Sequence, residues 1–233
     1  MKPSNSSIEQ RDGKSNVALV TRTLEIMKRL EREYPGSAKD LCALTFNNPF
    51  ELLVATILSA QCTDQRVNMV TPRLFEKYPT PEAMASADIE DVADIIKSTG
   101  FFHSKASNII KMAAALVQNF SSNVPADIEK LVTLSGVGRK TANVVLSVGF
   151  SLPGLPVDTH VKRLSKRLAL TAFDDPEKIE ADLNKLVGDK DRGAFSLRLI
   201  LHGRKVCIAR KPKCEECILA DICPSSRMPV VDI

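Results

Sequence analysis

Apolar positions recur every three to four residues over most of this chain, the period of helices packed on one face. From Val17 the set Val20, Leu24, Met27 and Leu30 keeps that spacing until Tyr34-Pro35-Gly36 stops it. Asn48 is placed to cap a strongly apolar helix, PFELLVATILSA, whose first residue is Pro49. Thr63-Asp64 opens the next helix, and Pro72 is expected to kink or split it. Asp88 begins another, carrying Ile89, Val92, Ile95 and Ile96, with Gly100 as its stop. Ala106, Ile109, Ala113, Leu116, Val117 and Phe120 mark one more. Two short patterns, Asp127 to Leu134 and Thr141 to Phe150, flank a glycine turn, and helical spacing resumes over 159–170, 176–187 and 191–202. Residues 1–16 read as a flexible tail. No run alternates in the manner of a strand, so the expected class is all-α.

Composition narrows this only slightly. With 44% apolar and 26% charged residues in 233, the chain can bury a core, and its length suits one or two compact domains. No segment approaches the ~18 uninterrupted apolar residues of a membrane span. The polar start, MKPSNSSIEQRDGKSN, lacks the apolar segment of a leader, which gives a cytoplasmic expectation.

The net charge of +4 says little until it is resolved by position. Residues 135–213 hold sixteen Lys and Arg against eight Asp and Glu, whereas the remainder holds sixteen against twenty. Arg192 to Cys214 and Thr159 to Phe173 contain no acid at all. A one-sided field of this kind attracts a polyanion, and nucleic acid is the commonest. There is no Trp, and aromatics are 5% of the chain, fewer than a stacking single-strand binder needs, so a duplex held by its backbone fits better.

Three motifs carry chemistry. In LVTLSGVGRKTANVV (131–145), Gly136 and Gly138 remove side chains from a turn, and Arg139 and Lys140 open the helix after it. Amides at such a start can hold a phosphodiester without reading sequence, although a G-x-G alone can equally be a tight helix–helix connection. Cys207, Cys214, Cys217 and Cys223 follow a C-x6-C-x2-C-x5-C spacing. That density argues for metal over disulfides, and four thiolates suit either structural zinc or an iron–sulfur cluster. The basic string IARKPK between the first two would then become a pinned surface loop. Cys42 and Cys62 sit in apolar contexts and read as core. Asp158, in VDTH, is the sole acid between Lys140 and Asp174. It reads either as a helix cap or as a carboxylate that stabilises developing positive charge beside an amine nucleophile.

The strings LSAQCTD (58–64), SGVGRKTANVVL (135–146), VDTH (157–160) and LHGR (201–204), with the four cysteines, resemble the endonuclease III family, bifunctional DNA glycosylases and AP lyases of base-excision repair. The resemblance runs from about Leu41 to Pro224. It implies two helical lobes: a six-helix domain over 42–152 with a helix-hairpin-helix motif, and a cluster domain built from an N-terminal helix (17–41) and residues 153–224, with 225–233 as a tail. DNA is expected in the cleft between the lobes, and the four cysteines are expected to hold a [4Fe–4S] cluster. Lys140 is implied as the nucleophile that attacks C1′ of a flipped, oxidised pyrimidine nucleotide, with Asp158 assisting and strand nicking by β-elimination through a Schiff base. Gln61 matches the residue that fills the gap left by the extruded nucleotide. Gly136, Gly138, Arg139, His160 and Lys211 match positions near DNA phosphates. Partners implied are duplex DNA carrying a damaged pyrimidine or an abasic site, met by a monomer at the nucleoid.

Two departures from the family pattern stand out. Ser135 replaces a common proline, which is expected to loosen the hairpin slightly. In GFFHSKA (100–106), Phe101 and His103 replace leucine and asparagine, and Phe101 reads either as an apolar wedge or as a side chain buried against the following helix. His103 and His202 receive no role beyond local hydrogen bonding. An adenine glycosylase of the same superfamily is disfavoured because such enzymes usually lack lysine at the position of Lys140. A non-catalytic DNA-binding module with a structural metal would need neither Lys140 nor Asp158.

Overall fold

The structure is a computed structural model that describes residues 5–227, with side chains described from residue 17; the ends of the two expected tails, 1–4 and 228–233, lie outside the described residues. Twelve α-helices and no strand occur among the described residues. The chain divides into two compact units, Ala38–Pro156 and Met1–Ser37 with Val157–Ile233.

Ala38–Pro156 is organised on α3 (Pro49–Leu58), a helix buried along its whole length from Phe50 to Leu58. A helix that is apolar all round has to sit inside its domain. Asn48 caps it as the sequence suggests, its Oδ1 accepting from Glu51 N at 2.9 Å. The buried Glu51 carboxylate answers by accepting from Asn47 N at 2.7 Å, a capping box that orients the entering chain. On α3 pack α4 (Asp64–Lys77), α7 (Phe102–Phe120) and α9 (Arg139–Val144), the last continuing into a π-helical turn, Val145–Gly149; α5 (Pro81–Ala85) and α6 (Ile89–Ile96) pack on α7, α8 (Ile128–Leu131) on α9, and α2 (Ala38–Leu41) on the π turn. The side chains of Thr63, Thr80, Asp88 and Asp127 cap α4, α5, α6 and α8. Pro72 does not split α4, which runs continuously through it. The proline sits on the exposed face, so the carbonyl it leaves unbonded can be served by water.

The second unit holds α1 (Asn5–Glu33), α10 (Thr159–Arg167), α11 (Pro176–Leu186) and α12 (Arg192–Lys205). Helical backbone in α1 begins within the stretch assigned to a tail. Residues 5–16 are polar and give no apolar spacing, but a helix already formed extends at little cost. Ile26, Leu30, Val161, Leu164, Ile179, Leu183, Phe195 and Leu199 form the core of this unit. The buried Arg198 of α12 ties it to the end of α1, donating to Tyr34 O at 3.1 Å and Gly36 O at 3.0 Å.

Candidate active site and metal centre

The hairpin turn between α8 and α9 is anchored by buried Leu131, Leu134 and Val137. Its two glycines are required for different reasons. Gly136 has φ +77°, and a Cβ there would lie 3.0 Å from Asn108 Cβ, so both the backbone and the packing demand glycine. Gly138 has φ −90° and open space where its Cβ would stand. The fold alone does not need glycine at that position. Gly138 is also the N-cap of α9, and no side chain caps this helix. Lys140 follows on the first turn, exposed to solvent and with no carboxylate partner among the described residues. Ser135 does not loosen the turn: its Oγ donates to Asn108 Oδ1 at 2.9 Å, tying the hairpin to α7.

Two exposed tips belong to the same unit. Gln61, just after α3, has φ +53°, and Phe101, just before α7, has φ +49°. Left-handed backbone is uncommon outside glycine and is held here by the surrounding structure. Phe101 is 69% exposed, a large apolar side chain kept out of the core. His103 lies against the neighbouring Phe102 ring at 4.2 Å between centroids.

Asp158, His160, Lys211 and the four cysteines belong to the other unit. Asp158 caps α10 through a single oxygen, Oδ1 accepting from His160 N and Val161 N at 2.8 Å each. His160 Nδ1 lies 3.1 Å from Arg163 Nη2. Gly203, in LHGR, permits this contact, since a Cβ there would sit 2.9 Å from His160 Nδ1.

The four cysteines form no disulfide and line one cavity with Arg167. Among the described residues no three His, Cys, Asp or Glu side chains converge closely enough to hold a single metal ion. Four thiols lining one cavity are a donor set that fits an iron–sulfur cluster. Burial pushes the Cys217 thiol up to about 11 and raises that of Cys223. Thiolates there therefore require the charge of a metal. Arg167 supports the site, its Nη1 lying 3.2 Å from Cys207 Sγ and donating to Ile208 O at 2.9 Å, while Nη2 donates to Ala209 O at 2.7 Å. Arg163 Nη2 donates to Cys207 O at 3.0 Å and to Gly203 O at 2.9 Å. Buried His202 bridges Tyr34 Oη at 3.1 Å and Cys217 Sγ at 3.3 Å, and burial lowers its pKa to about 4, so the ring is neutral.

The model of the HhH-GPD superfamily of base excision DNA repair proteins matches residues 54–189, and that of the iron–sulfur binding domain of endonuclease III matches residues 207–223. Endonuclease III of Synechocystis sp. is 53% identical over 207 residues, covering 88% of this chain and 93% of that protein. The chain belongs to the endonuclease III family. It is a DNA glycosylase and AP lyase of base-excision repair, with an iron–sulfur binding domain at its C-terminal cysteines. A non-covalent endonuclease III–DNA complex matches with a TM-score of 0.82 at 40% identity, covering 88% of this chain and 95% of that one. A trapped endonuclease III–DNA covalent intermediate matches with a TM-score of 0.80 at 42% identity, covering 87% and 96%.

Within this family frame, the basic stretch divides into two groups. Arg163, Arg167 and Arg198 are spent inside the protein, and Lys162 and Lys166 pair with Asp174 at 3.4 and 2.8 Å. Arg210 and Lys211 remain exposed on the loop that Arg167 pins. Counting charge could not separate these groups, nor could it single out Asn108, Arg163, Arg167 or His202. The adjacency of Arg163 and Arg167 to His160 on one helix was the signal available. Replacing Arg167 with Ala is expected to leave the helical spectrum intact and to speed loss of the cluster's visible absorption roughly tenfold under oxidant, the loss of charge-assisted bonds to the ligand loop being the cause. A wild-type rate of cluster loss would refute this support.

Proposed function

We propose that this enzyme removes oxidised pyrimidines from duplex DNA and nicks the resulting abasic site, acting as a monomer on nucleoid DNA. The carrying observation is Lys140, an exposed amine on the first turn of α9, next to a glycine that faces open space. A glycosidic bond inside a duplex is out of reach, so the nucleotide must first leave the stack. Lys140 Nζ then attacks C1′, the C1′–N bond breaks, and the base departs with a proton. Asp158 stabilises the positive charge that develops at the sugar. Its Oδ1 is committed to capping α10, which fixes the carboxylate and leaves Oδ2 to the reaction. Loss of the amine proton and ring opening give the Schiff base. Removal of a C2′ proton then expels the 3′ phosphate by β-elimination.

The remaining residues hold DNA. Gly136 shapes the hairpin turn, Gly138 clears its surface, and Arg139 adds charge beside it. His160 on α10 and Lys211 on the pinned loop supply further phosphate contacts. Gln61 fills the gap left by the extruded nucleotide, and Phe101 wedges the opposite strand. Cys207, Cys214, Cys217 and Cys223 would hold a [4Fe–4S] cluster, which supplies structure by ordering the loop that presents Arg210 and Lys211. In domain terms, we assign the hairpin chemistry to 42–152 and the cluster to 153–224 with the helix 17–41.

Duplexes carrying thymine glycol, an abasic site, or adenine opposite oxidised guanine separate this function from its neighbours. Cleavage of the first two without alkali is expected; excision of adenine alone would overturn the assignment. Gly138→Ala is expected to cost under about 1 kcal/mol of stability, because its Cβ meets nothing, while weakening DNA binding by occupying the phosphate's place. Undiminished binding by this variant would remove Gly138 from the interface.

A further inference from the structure

Lys105, on the first turn of α7, has only 5% of its surface exposed, and the chemistry above gives it no work. Its Nζ donates to Leu58 O and to Thr99 O, each at 2.8 Å. A buried ammonium is tolerated only where its hydrogens find acceptors, and burial here holds its pKa below the ordinary lysine range.

Both acceptors are the roots of exposed tips. Leu58 is the last residue of α3, where the final carbonyls have no partner within the helix. Those of Ala55, Thr56 and Ile57 are taken by Ser59 N at 3.0 Å, Ser59 Oγ at 2.8 Å and Ala60 N at 3.3 Å. The carbonyl of Leu58 is taken by Lys105, and Gln61 follows with its positive φ. Thr99 ends a short 3-10 turn, Lys97–Thr99, and is itself buried, its Oγ1 donating to Ile96 O at 2.8 Å. Phe101 follows Thr99 across Gly100. One ammonium thus joins two segments far apart in sequence, and each ends in an exposed side chain on strained backbone.

We infer that Lys105 is a positioning residue for nucleotide extrusion: its bonds to Leu58 O and Thr99 O fix the Gln61 and Phe101 tips relative to each other before DNA arrives. This rests on the roles proposed above for those two tips. A tip fixed in advance loses little freedom on entering the duplex, so affinity for a gapped site benefits most. Binding to undamaged duplex, which relies on backbone contacts at the hairpin, does not need the clamp. A lysine serving stability alone would leave the preference between the two duplexes unchanged.

The test uses the cluster-loaded protein and two duplexes, one undamaged and one with a tetrahydrofuran abasic analogue. Lys105→Met keeps length and removes the donors. It is expected to lose roughly tenfold of the preference for the abasic duplex, with undamaged binding unchanged. Hydrogen exchange should quicken together in 58–63 and 99–103. In a Gln61→Ala, Phe101→Ala background the same substitution should cost no further preference, because coupled residues are non-additive. Should Lys105→Met fail to fold, Lys105→Gln, which retains amide donors, carries the same comparison with a smaller expected loss. Wild-type preference in a folded Lys105 variant, or a loss that adds in full to that of the tip substitutions, would overturn the inference. Misassigned tips give a different result: the Gln61→Ala, Phe101→Ala protein itself would then keep wild-type preference.

Discussion

Main-chain carbonyls at helix ends and loop turns have to find donors, and in this protein cationic side chains supply many of them. Lys105 serves the end of α3, Arg198 serves the end of α1, and Arg163 and Arg167 serve the loop that carries the cluster ligands. Each cation in turn escapes the cost of burial only because those carbonyls accept from it. The exchange makes irregular backbone rigid without regular secondary structure. It also explains why a chain of modest net charge concentrates so many cations in the stretch that folds around the ligands. Several of them are structural, and the cations left exposed are held in place by the buried ones.

The same logic gives the site its form. The start of α7 touches three segments proposed above to meet DNA: Phe101 stands at its edge, Lys105 reaches the end of α3 ahead of Gln61, and Asn108 backs the hairpin turn against Ser135 and Gly136. In the other unit, α10 does comparable work. Asp158 caps it, His160 lies against Arg163, and Arg167 braces the ligand loop. The groups proposed to react or to meet DNA are therefore carried on rigid supports, as a reaction that depends on fixed geometry requires.

The helices were largely legible because their caps are local: Asn48, Thr63, Asp88 and Asp127 each satisfy an amide two or three residues on. The motif glycines were legible as a pair but not individually, since only three-dimensional packing shows that Gly136 is needed by the fold and Gly138 is not. Pro72 does not split α4 because its cost depends on which face of the helix it occupies. Residues 5–16 gave no sign of helix because their sequence carries no periodic apolar face. Lys105, Asn108 and His202 were unreadable as working residues, since their partners lie far away in sequence. Cluster over single metal ion was likewise undecidable from spacing, and the match of residues 207–223 to the iron–sulfur binding domain of endonuclease III decides it.

The assignment of Lys140 as the nucleophile is the point on which the proposed chemistry stands, and borohydride reduction during reaction with an abasic duplex tests it most directly. A covalent protein–DNA adduct that maps to Lys140, and no adduct from Lys140→Ala, is the expected result. An undiminished adduct from Lys140→Ala, carried by another residue, would contradict it.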